Sequence, residues 1–339
     1  MRYLFYISQN YSFEILRPIQ QEAWQRGDEC AWFVEGKGVN TALFNADERC
    51  LPTISDVVQY KPDAVFVPGN IVPSFVPGLK VQVFHGFEWK KKGHFRIRDC
   101  FDLYCTQGPF FTNKFNELQQ QHRHFHVRET GWPKLDRLFS TTAENSQSCS
   151  TILYAPTFSP SFSSAEALAD TILALSQQHD WQWIVKFHPK MDLAIQARYY
   201  DRQHTKLIVT DEQSIIPLLQ QADVMVSDTS SVITEFLLLN KPVITFRNSQ
   251  PEPPLLDITA PDQLGDAITR ALSVDGELLD SIEEYGQQMH PYRDGQSAKR
   301  ILDAVKTEIA HLPHSDLRAK PKNFIRQLKM RKRLGYWQF

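Results

Sequence analysis

VMVSDTSSVITEFLLLNKPVITF, residues 224 to 246, reads as a strand, a hydroxyl-rich turn, a helix and a second strand. The first apolar run stops at Ser227-Asp228, helical spacing follows near 231–239, and Pro242 opens the second run, VITF. Continuous apolar strands joined through a helix imply a parallel sheet buried on both faces. Upstream the same alternation recurs: TILYAPTF from 151, a helix near 164–178, WQWIVKFHP from 181, a helix near 192–201, TKLIVTD from 205 and a short helix near 214–221. Helices near 262–272 and 297–311 follow.

The first half carries its own set. RYLFYIS (2–8) and CAWFVE (30–35) flank a helix-like FEILRPIQQEAWQRG, giving one βαβ unit. DAVFVPG (63–69), KVQVFHG (80–86) and DLYCTQG (102–108) are three further apolar runs that end in glycine. TTAENSQSCS (141–150) is polar, lacks periodicity and serves as the linker. The expectation is an α/β chain of two doubly wound domains facing across a cleft, 1–145 and 146–312, with a tail at 313–339. Its 339 residues suit two domains.

Hydrophobic residues make up 42% and charged residues 22%, a globular profile. No apolar run reaches membrane-spanning length, and the N-terminus lacks a signal-peptide pattern. Five scattered cysteines without CxxC spacing read as reduced thiols of a cytoplasmic protein. The formal charge of −2 conceals a contrast: eight basic residues and no acidic one follow Asp316, leaving 29 basic against 39 acidic residues in the first 316.

Ligands of open parallel sheets bind outside the carboxyl ends of the strands. That rule selects His85, Gly131, Thr157, His188 and the stretch Ser227 to Ser231. At Asp228, Thr229, Ser230 and Ser231 the first amides of a helix offer an anion site, with Glu235 one turn further on able to meet a ribose hydroxyl. Alone, SDTSS reads sooner as an ordinary helix cap at Asp228 or Thr229. In WQWIVKFHPK (181–190), alternation puts Lys186 and His188 on one side, a charge and a donor suited to phosphate. In VFHGFEWKKKGH (83–94), Gly86 allows close approach beside His85, and Lys90, Lys91 and Lys92 would draw a polyanion. A packed strand-end histidine and a solvated lysine face are the plainer meanings. Without HExxH or DxD, no metal ligand set and no cofactor are assigned.

Taken in order, these segments resemble the CDP-glycerol:poly(glycerophosphate) glycerophosphotransferases, the teichoic-acid primase and polymerase family. FHGFEWKKKG looks like its WHG…K(K)xG segment, TGWPKLDRL (130–138) its GxPRxDxL, ILYAPTFS (152–159) its ILYAPTWR and VKFHPK its K/R-P-H-P element. DVMVSDTSSVITEFLLLNKPVITF resembles DxLITDYSSxxFDFxxLxKPxIxF, and YRDGQSAKRILDAV (292–305) the terminal DGxASxRI helix. The likeness spans about 80 to 305. Phe87-Glu88, Phe187 and Thr229 depart from the family pattern, which puts the particular polyol or sugar in question.

The resemblance implies a GT-B-like pair of Rossmann-type domains and metal-independent transfer of a polyol phosphate, glycerol phosphate first, from a CDP-activated donor. The acceptor is a hydroxyl of a cell-surface glycan or a lipid-linked molecule, and CMP is released. It implies His85 and His188 as catalytic residues; Lys186, Thr157, Asp228, Thr229, Ser230, Ser231 and Glu235 at the donor; and Gly86, Glu88, Lys90, Lys91 and Lys92 at the acceptor. Alternatives are a GT-B glycosyltransferase or nucleotide-sugar 2-epimerase, and a non-catalytic glycan-polymer-binding protein. The 318–339 tail mixes apolar and basic residues as an amphipathic helix on an anionic membrane does, placing the protein peripherally on the inner face. No nucleic-acid-binding module accompanies it.

Overall fold

A computed structural model describes residues 1–87, 89, 93–140, 149–212, 214–273, 276–311 and 316–337. The chain divides into two compact units, Met1–Ser140 with Met289–Phe339, and Thr141–Gln288.

In the first unit β1 (Arg2–Ile7), β2 (Glu29–Val34), β3 (Ala64–Val67), β4 (Leu79–Gln82), β5 (Leu103–Thr106) and β6 (His126–Glu129) form a parallel sheet in the order β2-β1-β3-β4-β5-β6. Every residue of β3 and β5 is buried, as a sheet covered on both faces requires. Helices α1 (Ser12–Gln25), α2 (Ile54–Tyr60), α3 (Pro109–His122) and the short α4 (Asp136–Ser140) are interleaved with the strands. Strand order reverses between β1 and β3, which makes that edge the unit's switch point.

The second unit holds β7 (Ser150–Tyr154), α5 (Ala165–Gln178), β8 (Trp181–Val185), α6 (Leu193–Tyr200), β9 (Leu207–Val209), α7 (Ile216–Gln221), β10 (Val224–Ser227), α8 (Val232–Leu237), β11 (Val243–Phe246), β12 (Leu255–Ile258), α9 (Leu264–Leu272) and α10 (Gly276–Met289). Its sheet, β12-β11-β10-β7-β8-β9, is parallel throughout and reverses between β7 and β10. Ile152, Trp183, Val185, Val226 and Ile244 join helix residues such as Leu168 and Ile268 in one core. Each large apolar side chain so buried contributes about 1.5–3 kcal/mol. Lys241, from the KPVITF segment, donates to the carbonyls of Leu219, Gln220 and Ala222 and so closes the end of α7.

Two features differ from the sequence expectation. Helix α11 (Ser297–His311), assigned to the second domain, lies in the first unit and packs on α1, burying Ala298, Ile301, Leu302 and Val305. The tail is not a separate body either. Lys320 pairs with Asp102 at 2.5 Å, Arg326 donates to the Arg98 carbonyl, and α12 (Phe324–Leu334) buries Met330. Tyr336 stacks on Phe75 at 4.8 Å, with the Arg331 guanidinium over the same Phe75 ring. Lys320, Arg326 and Arg331 thus find a carboxylate, a carbonyl and a ring on the first unit. Of the expected linker 141–150, residues 141–148 lie outside the described residues and Ser150 opens β7. The acceptor residues Glu88, Lys90, Lys91 and Lys92 lie outside them as well.

Candidate functional site

At the switch point of the second unit, Asp228 follows β10 and Thr157 follows β7. The Asp228 carboxylate, with no exposed surface, accepts the amides of Thr157 (2.9 Å), Ser164 (2.9 Å) and Thr229 (2.6 Å) and the Ser164 hydroxyl (2.9 Å). Burial nevertheless raises its pKa, the hydrogen bonds opposing. Its carbonyl accepts from the Asn248 amide at 2.8 Å. Asp228, expected at the donor, is therefore a clamp that ties the two loops together, and its carboxylate has no free face for a ligand. Asn248 and Ser164 carry this clamp and were missed, since a polar residue far along the chain gives no local sign of its partner.

The clamp leaves Thr229 and Ser230 half-buried and Ser231 exposed. Ser231 stands at the N-cap of α8 without a side-chain cap bond, so its hydroxyl is not spent on the helix end. Glu235 is only 5% exposed, inside the unit.

Beyond β8 the burial alternates: Lys186 half-buried, Phe187 buried against Tyr199, His188 exposed. The strand itself ends at Val185, yet the alternation that pairs Lys186 with His188 continues past it. The His188 ring stacks on Phe158 at 4.4 Å and its Nδ1 accepts the Lys190 amide at 3.1 Å. Partial burial, then the charges of Lys190 and Lys186, hold its pKa below the ordinary value. The ring is consequently neutral at pH 7 with its proton on Nε2, a donor suited to a phosphate oxygen.

In the first unit β4 ends at Gln82, three residues before His85. Phe84 takes a left-handed conformation at φ 58°, costly for an aromatic residue. Its buried ring, against Tyr104, Phe115 and His94, and its carbonyl, which accepts from Trp132 Nε1, hold it there. The turn delivers an exposed His85. The His85 Nδ1 lies 3.3 Å from the Pro68 carbonyl, and its ring stacks on Tyr11 at 5.7 Å. A carbonyl only accepts, so Nδ1 carries the proton and Nε2 is the basic nitrogen of the neutral ring. Gly86 is fixed next to it by Gln107 Nε2, which donates to its carbonyl at 3.0 Å.

Gly131 serves packing. At φ 80°, an added Cβ would stand 2.5 Å from Ser297 Oγ and 3.0 Å from His290 Nε2. Among the described residues one group has metal-ligand geometry: Asp99, His122 and His124, with ligand atoms within 4.8 Å of one another. It comes from a His-Arg-His run that the metal reading passed over, and it lies at the amino ends of β5 and β6, the opposite sheet edge from His85.

The family model described as CDP-Glycerol:Poly(glycerophosphate) glycerophosphotransferase matches residues 90–307, more than half of the chain. A teichoic acid glycerol-phosphate primase of Bacillus subtilis (strain 168) is 27% identical over 170 residues, covering 47% of this chain. That match spans 44% of the relative, less than half of its length. Among solved structures, a variant of the wall teichoic acid polymerase TagF superposes with a TM-score of 0.66 at 14% identity, covering 93% of this chain and 90% of that one. A UDP-N-acetylglucosamine 2-epimerase structure from Listeria monocytogenes, itself assigned only provisionally, gives 0.64 at 15%, covering 93% and 97%. At such identities the likeness is one of fold.

Proposed function

Because the chain belongs to the CDP-glycerol:poly(glycerophosphate) glycerophosphotransferase family, we propose that it moves a polyol phosphate, glycerol phosphate in the first instance, from a CDP-activated donor to a hydroxyl of a surface-glycan or lipid-linked acceptor. The observation that supports the reading is the contact of His85 Nδ1 with the Pro68 carbonyl at 3.3 Å, which favours the tautomer whose Nε2 acts as the base in this proposal. In the proposed step the acceptor oxygen bonds to the polyol-bearing phosphorus, the bridging P–O bond breaks, and CMP leaves. The acceptor proton passes to His85 Nε2.

The donor belongs to the second unit in this reading. Ser230 and Ser231 hold the pyrophosphate, the loop being fixed from below by Asp228, while Lys186 and the Nε2–H of neutral His188 stabilise charge on the departing CMP. Thr157 and Thr229 contribute from the two clamped loops, and Glu235 supports the helix behind them. No metal ion is assigned to the step. The outward side of α12, with Phe324, Ile325 and Leu328 exposed, is assigned to an anionic membrane surface. No helix among the described residues is long and apolar enough to cross a membrane.

Incubation with CDP-glycerol, CDP-ribitol, UDP-N-acetylglucosamine and a CMP-sugar, reading released nucleotide, tests the proposal. CMP release from a CDP-polyol is expected; turnover confined to the UDP- or CMP-sugar arms would replace it with a sugar-nucleotide reading.

A further inference from the structure

At the switch point of the first unit, outside the carboxyl ends of β1, β2 and β3, lies a cavity of about 520 Å³. That volume is typical of small-molecule sites. Its lining is charged and polar. Lys37, Arg98 and Arg333 supply three cations against one carboxylate, Glu35, while Gln9 and Asn70 add amides. Arg333 arrives from α12 and pairs with Glu35 at 2.5 Å, so the returning tail completes the wall.

Two lining groups are buried with their hydrogen-bonding capacity unspent among the described residues. The Tyr6 hydroxyl, on a residue 2% exposed, lies beside Glu35 without a hydrogen bond of normal geometry, and Arg98 Nε has no acceptor. Unpaired buried polar atoms are costly, and here they belong to side chains that line an open volume. The excess of cations selects an anion; the amides, phenol and carboxylate select hydroxyls. The turn after β1, Ser8-Gln9-Asn10-Tyr11, contains no glycine, so it offers no backbone cradle of the kind that holds a dinucleotide pyrophosphate.

The cavity adjoins the proposed base. Pro68, whose carbonyl orients His85, sits between the lining residues Val67 and Gly69, and Tyr11, stacked on His85, immediately precedes the lining residue Ser12. We propose that this cavity is the acceptor site for a phosphorylated polyol, its phosphate held by Lys37, Arg98 and Arg333 and its hydroxyls by Glu35 and Tyr6. The assignment rests on the transferase reading and names residues for the acceptor among the described part of the chain.

Titration of full-length protein with glycerol phosphate tests it, with inorganic phosphate, glycerol and CDP-glycerol as parallel arms. Lys37→Glu and Arg98→Gln are each expected to weaken glycerol phosphate at least tenfold and to change CDP-glycerol affinity less than twofold. Lys37 is exposed, so its variant folds irrespective of the outcome at Arg98. Arg98→Lys is expected to restore part of the loss. Affinity for glycerol phosphate within twofold of wild type in both variants, or no binding to wild type, would overturn the site. Equal affinity for inorganic phosphate and glycerol phosphate would overturn its polyol specificity. Failure of this titration with CMP release intact removes the acceptor site alone, whereas variant-sensitive glycerol phosphate binding without CMP release removes the transferase reading alone.

Discussion

The Asp136 carboxylate accepts the backbone amides of Ser297 at 2.8 Å and Ala298 at 2.7 Å, so a residue of TGWPKLDRL caps the helix that opens in DGQSAKR. Two segments far apart in the chain thereby close on each other, and Gly131 leaves the room for it. Asp136→Ala leaves two buried donors unsatisfied and should cost about 2–4 kcal/mol. Asp136→Asn, which keeps one acceptor oxygen, should cost less. Urea unfolding of the three proteins measures both; wild-type stability in the alanine variant would show that the cap carries nothing.

His290 beneath this closure sets a pH dependence. Burial pushes its pKa down from 6.5 to about 4, and its Nε2 accepts the Trp132 amide at 2.9 Å, which only the neutral ring can do. Since the folded value lies below the unfolded one, the contribution is fully present above about pH 6.5 and is lost as the pH falls toward about 4. The span corresponds to about 3 kcal/mol for one ring. His94, also held near 4 chiefly by burial, adds a loss of the same sign. Unfolding free energies through this window should fall with acid, and His290→Gln should flatten the slope by about one proton. An unchanged slope in the variant would assign the acid sensitivity elsewhere.

How far the chain could be read in advance follows from where the information sits. Most strands, such as Ala64–Val67, Leu103–Thr106 and Val224–Ser227, were legible because fully buried parallel strands are continuous apolar runs, whereas β6, HVRE, is only partly buried and was not read as a strand. β12, LLDI, is half-buried at its sheet edge and gave no such run. The motif residues were legible as a set, but their tasks were not. Asp228 and Asp136 serve backbone amides, and Lys241 serves carbonyls, because each partner lies on another element. The return of the tail was hidden for the same reason: Arg333 finds Glu35, and Arg331 finds Phe75, only after folding.

The two histidines of the proposed reaction should respond differently to substitution. His85→Ala removes the base and should lower CMP release by about 10²–10⁴-fold. His188→Gln keeps a neutral N–H near the Nε2 position and should retain more activity than His188→Ala, the effect falling on the departing CMP. Both residues are exposed, so thermal unfolding should stay near wild type. CMP release at the wild-type rate from His85→Ala would remove it as the base, and equal losses in the two His188 variants would remove the donor role of Nε2.

The tail gives the last test, because docking has sorted its side chains. Met330 and Tyr336 face the first unit, while Phe324, Ile325, Leu328 and Trp337 are 68%, 74%, 51% and 53% exposed, with Lys322, Lys329 and Lys332 exposed as well. Apolar groups beside unshielded lysines fit an anionic lipid surface, each lysine contributing about 1 kcal/mol near it. Full-length protein should therefore sediment with vesicles containing phosphatidylglycerol and not with neutral vesicles, and added salt should weaken the binding. Ile325→Ser with Leu328→Ser should release it while leaving the docked face, and hence thermal stability, unchanged. If the double variant binds as wild type does, or if neutral vesicles bind equally well, lipid is not what the exposed face of α12 meets.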